Sequence, residues 1–74
     1  MMIIASYRVT TYIGLDEKRD DEIRELGKNM GGKSIGSGSG FFKRDLEFEF
    51  TNPEKAEDFM RECKILGLEA TTID

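Results

Sequence analysis

The sequence predicts an α+β domain with the element order β-α-β-β-α-β. Three observations predict it. Apolar residues alternate along Met2–Ile13 and Phe42–Thr51, the period of a half-buried strand. Two further segments repeat apolar residues at helical spacing, and each opens on a capping residue and closes on glycine. The chain has 74 residues, room for one small domain spanning 1–74.

In Met2–Ile13, one face holds Ile3, Ala5, Tyr7, Val9 and Thr11; the other holds Ile4, Ser6, Arg8, Thr10 and Tyr12. The first set is expected to face the core, and Gly14 to end the strand. A helix is expected over Asp16–Met30. Asp16 can cap it, and its acid-rich first turns suit the positive end of the helix dipole. Leu15, Ile23, Leu26 and Met30 form a thin apolar stripe, and Gly31-Gly32 stops the helix. Lys33–Ser37 reads as a short strand and Ser37–Gly40 as a mobile glycine turn. Phe42–Thr51 is the strongest strand: Phe42, Leu46, Phe48 and Phe50 point one way, and Lys43, Asp45, Glu47 and Glu49 the other. Asn52-Pro53 then supplies an N-cap and a first helical residue. Ala56, Phe59, Met60, Cys63 and Leu66 share one helical face. Gly67 closes this helix, and Leu68–Ile73 is a last short strand. With right-handed crossovers, two split β-α-β units give a four-stranded antiparallel sheet with both helices packed on one face. This is the ferredoxin-like architecture, with the first and third strands at its centre.

Composition narrows the function. Net charge is −4, which disfavours non-specific binding to nucleic acid or to an anionic membrane. The charge is uneven: Lys28, Lys33, Lys43 and Arg44 put +4 on residues 27–44, leaving −8 on the rest. One cysteine and no histidine leave no disulfide and no zinc set, and no cofactor is expected. Cys63 reads as a core thiol. The apolar start, Met1–Ala5, is shorter than a secretory or membrane-spanning segment needs, so a cytoplasmic protein is expected.

The segment Gly31–Arg44, GGKSIGSGSGFFKR, has five glycines, three serines, three cations and no acid. Lys33, Ser37, Ser39, Phe41, Lys43 and Arg44 are its candidate contact residues, as a backbone anion nest or as a flexible hairpin tip. Gly27–Ser34 fits the spacing of a phosphate-binding P-loop. That chemistry needs a strand before the loop and a helix after it, and here the order is reversed. Asp20-Asp21-Glu22 reads as a solvated helix face.

Two resemblances follow from the architecture. The third strand and second helix resemble RNA-recognition domains, whose central strands offer aromatics to bases. The outward positions here are Asp45, Glu47 and Glu49, so the resemblance carries over no site. Acylphosphatases share the architecture and hold phosphate with an arginine-bearing loop after the first strand. The loop here, Gly14-Leu15-Asp16-Glu17, is acidic and does not match.

The expected function is a small non-enzymatic interaction protein that binds another protein. Size and acidity parallel inhibitors carried by phages and mobile elements. The alternative is a nucleic-acid or phosphate-ligand binder using residues 31–44. Arg8, with Ile4 and Tyr12 beside it, is expected to pair with Asp45, Glu47 or Glu49 on the outward sheet face. That mixed face would suit a weak two-fold homodimer or a docked partner.

Overall fold

The computed structural model describes residues 1–12, 14 and 16–73. Its elements are β1 (Met2–Arg8), α1 (Glu17–Asn29), β2 (Lys33–Gly40), β3 (Lys43–Glu49), α2 (Pro53–Ile65) and β4 (Glu69–Ile73). The strands form one antiparallel sheet in the order β2-β3-β1-β4. This is the ferredoxin-like α+β fold, with β1 and β3 central as expected.

Strand alternation builds the core. Ile3, Ala5 and Tyr7 of β1 face inward, opposite Phe48, Leu46 and Arg44 of β3. Ile23 of α1 and Ala56, Phe59 and Cys63 of α2 join the same cluster, so both helices cover this face. Phe59 sits 4.9 Å from Phe48 and 5.3 Å from Phe50, ring centre to ring centre. The caps are those the sequence implies: the Asp16 carboxylate accepts from the Arg19 amide, and Asn52 accepts from Glu54 and Lys55. Gly27 allows α1 to lie against the sheet, because a Cβ there would sit 2.6 Å from Phe48 Cε1.

Three expectations are corrected. The first strand ends at Arg8 and not Ile13. On one side β3 runs out where the hairpin turns back, and on the other β4 begins only at Glu69, so the β1 ladders end at Arg8 among the described residues. Ser37–Gly40 is not a turn. It pairs residue by residue with β3, from Ser37 opposite Leu46 to Gly40 opposite Lys43. The reversal falls on Phe41-Phe42, so Phe42 is half-exposed and does not join Leu46 and Phe48 in the core. The expectations for Ile13 and Leu15 lie outside the described residues. Among the described residues, no helix is long and apolar enough to cross a membrane.

Candidate functional site

The structure gathers its unusual features at one end, around the β2–β3 hairpin. Gly40 and Lys43 are cross-strand partners, so the loop between them is only Phe41 and Phe42. A two-residue hairpin loop whose central residues both have positive φ is a type I′ turn, and such turns strongly prefer Asn-Gly or Gly-Gly. Here φ is 52° at Phe41 and 62° at Phe42. Bulky side chains rarely adopt this left-handed conformation, because Cβ crowds the following carbonyl. Little burial is gained in return: Phe41 is 80% exposed and Phe42 only half-buried, at 46%.

Tyr12 braces the turn. Its ring meets Phe41 edge-on at 5.5 Å and Phe42 at 5.8 Å. The Phe42 amide donates to the Tyr12 carbonyl at 3.2 Å, and the Val9 amide donates to the Phe42 carbonyl at 2.9 Å. Tyr12 is itself half-exposed, so three aromatic rings form one solvent-facing cluster.

A buried polar network lies directly beneath. Arg44 has the parity of Leu46 and Phe48 and enters the core, where it is 8% exposed. Its Nε donates to Asp20 Oδ2 at 3.0 Å, and its Nη2 forms an ion pair with the same oxygen at 2.9 Å. Asp20 Oδ1 accepts from the Tyr7 hydroxyl, and the Asp16 amide donates to that hydroxyl oxygen at 3.1 Å. Arg44 Nη1 donates to Ser39 Oγ at 3.0 Å. The network therefore ties the turn-proximal ends of both hairpin strands to α1. Burial first, then the hydrogen bond to Asp20, push the Tyr7 hydroxyl above the ordinary tyrosine pKa. Among the described residues, no buried side-chain nitrogen or oxygen lacks a partner.

Of the residues singled out from sequence, Phe41, Lys43 and Arg8 come together at this end. Lys33 sits at the far end of β2, opposite Glu49. Ser37 is exposed opposite Leu46, and Ser39 serves Arg44. Two positions correct the expectation. Arg44 is a core residue held by Asp20 and is not free for a ligand. Asp20, read as solvated, is 2% exposed. The expected pairing of Arg8 with an acid of β3 also fails. The register sets Arg8 opposite Lys43, and Asp45 opposite Ser6, whose hydroxyl donates to Asp45 Oδ1 at 2.6 Å. Glu47 lies half-buried beside Gly36, and Glu49 is exposed.

Sequence reasoning placed Tyr12 beside Arg8 on an outward sheet face but not against the hairpin turn, and it missed Phe42, Arg19 and Asp20. One signal was available for the turn. Gly36, Gly38 and Gly40 alternate with Ser37 and Ser39, itself a period of two. Read as a strand, that run leaves Phe41-Phe42 as the hairpin loop.

No protein-family model matches the chain, and no curated protein and no solved structure matches it either.

Proposed function

We propose that this is a non-enzymatic interaction protein that engages another protein through the tip formed by Tyr12, Phe41 and Phe42. One observation carries the reading: two phenylalanines stand exposed in a left-handed turn that Asn-Gly would form at lower cost. Strained backbone persists where surrounding structure over-determines it, and it clusters at binding and switch sites. Aromatic residues, Tyr and Phe among them, are also enriched at protein–protein interfaces relative to the rest of the surface. The net charge of −4 favours a protein over a polyanion as the occupant. The basic segment that motivated the nucleic-acid alternative is dispersed: Lys33 and Lys43 lie at opposite ends of the hairpin, and Arg44 is neutralised by Asp20.

The test is affinity capture from lysate of the source cells, comparing the parent with a Phe41→Asn/Phe42→Gly variant. The variant keeps the turn and removes both rings. The parent should retain a stoichiometric protein that the variant loses while staying folded. Equal retention by both would exclude the tip as the binding element.

A further inference from the structure

Positive charge collects beside the same tip. A cavity of about 430 Å³ opens between the end of β1, the first turn of α1, the hairpin and the start of β4. Arg8, Arg19 and Lys43 line it, together with Tyr7, Phe41 and Glu69. Neither Arg8 nor Arg19 makes an ion pair within 4 Å among the described residues. Lys43 pairs with Glu69 at 3.1 Å, but both groups are exposed, so a competing carboxylate displaces the contact easily.

Two of the three cations are placed against local preference, and the third is held in place by an aromatic ring. Arg8 and Lys43 are directly opposite in the β1–β3 ladder, where like charges destabilise the pair. Arg19 lies over the Tyr7 ring, its guanidinium carbon 4.8 Å from the centroid. That stacking limits the freedom of the side chain and orients its fork of donors. The cavity thus holds three cations and one carboxylate in a protein of net charge −4.

We infer that this cavity receives a carboxylate side chain of a protein partner, whose apolar neighbour packs on Phe41. The inference rests on the tip being a protein-binding element. An arginine fork matches a carboxylate with two parallel hydrogen bonds, and Lys43 adds a point charge. A polynucleotide fits less well. A strand of phosphates needs a continuous positive groove. Here Asp45, Glu47 and Glu49 follow along the open face of β3, and Asp16 and Glu17 open α1. None of those acids lines the cavity, whose one carboxylate, Glu69, is paired with Lys43.

The test is a titration of ¹⁵N-labelled protein with a capped pentapeptide Leu-Glu-Phe-Glu-Leu, with its Gln-for-Glu counterpart, and with decathymidylate. The Arg8 and Arg19 side-chain Nε signals and the Phe41 amide should shift together with the Glu peptide. The Gln peptide should bind at least fivefold more weakly. Arg8→Gln, alone and with Arg19→Gln, should remove that preference while leaving the fold intact by circular dichroism. Equal affinity for the Glu and Gln peptides, or no shift at these residues, overturns the inference. Tighter binding of decathymidylate than of the Glu peptide overturns it in favour of nucleic acid. The two readings separate in the capture experiment. If Arg8→Gln/Arg19→Gln retains the partner and Phe41→Asn/Phe42→Gly loses it, the tip stands and the carboxylate subsite falls. If the tip variant retains the partner, the tip reading itself falls.

Discussion

Replacing Phe41-Phe42 by Asn-Gly should make the protein more stable, although it removes two large apolar side chains. Each non-glycine residue held in the left-handed region costs about 1–2 kcal/mol, so the two together cost about 2–4 kcal/mol. Asn tolerates this region and Gly meets no penalty there, so the swap removes most of that cost. Three losses oppose it. The two edge-on contacts with Tyr12 lie in solvent and are worth about 0.5 kcal/mol each, the low end for aromatic pairs. Glycine also adds unfolded-state freedom, worth about 0.5–1 kcal/mol. The balance is a gain of about 1 kcal/mol. For a domain of this length, that raises the melting temperature by roughly 4–8 °C. Thermal unfolding followed by circular dichroism or calorimetry measures it directly, and Phe42→Gly alone should show part of the gain. A melting temperature several degrees below the parent would refute the reasoning. It would mean that the three rings stabilise the fold more than their backbone strains it, and the case for a tip held for a partner would lose its basis.

Asp20→Asn leaves Arg44 buried without a counter-charge and should cost about 3–5 kcal/mol, enough to unfold much of the population. Urea melts should show Asp20→Leu/Arg44→Met recovering most of that loss. Gly27→Ala should destabilise by about 1–3 kcal/mol despite a helix-propensity gain of about 1 kcal/mol, because the new methyl meets the Phe48 ring. A higher melting temperature for this variant would show that α1 can move off the sheet. Burial pushes the Cys63 thiol up to about 11, so alkylation of native protein at pH 8 should be limited by unfolding. The folded thiol keeps its proton after the unfolded one, with its ordinary value of 9.0, has lost it. Its contribution to stability is therefore full below pH 9 and falls as pH rises towards 11, by at most about 1.4 kcal/mol per pH unit. Cys63→Ala should flatten that part of the profile.

The fold was legible because independent local signals agreed. Phe48, Phe50 and Phe59 have the spacing of core residues, Asp16 and Asn52 mark helix starts, and both sets of signals lead to one topology. β2 was only half legible, and for a physical reason. Its residues are exposed or half-exposed throughout, so no hydrophobic pattern records its faces. Backbone pairing to β3 holds it, and that leaves little trace in side-chain identity. Arg44 was misplaced by a rule that is sound on average: charged residues go outward unless paired. Its parity with Leu46 and Phe48 pointed inward. The partner that makes this tolerable, Asp20, is 24 residues away and sits in a run of acids with no mark to single it out.

What the sequence conceals is also where the molecule departs from the cheapest fold. A small domain has little stability in reserve, since it buries only roughly 60% of its unfolded surface. Yet one end carries a strained Phe-Phe turn, two cations directly opposed across the central strands, and a buried ion pair. The first two destabilise, and a buried pair seldom outperforms apolar packing. The buried pair has a use in this position. Arg44 links Asp20 of α1 to Ser39, one residue before the Gly40–Lys43 closure, so α1 and both hairpin strands are fixed just below the turn. A turn strained by two aromatics would otherwise relax by register slip, to which a glycine-rich edge strand is prone. The network therefore holds Phe41, Phe42 and Lys43 in one geometry, and a fixed geometry lowers the ordering cost of binding. Costs scattered over the surface would be incidental. Costs confined to one end, with a clamp beneath them, are what a preorganised contact surface requires.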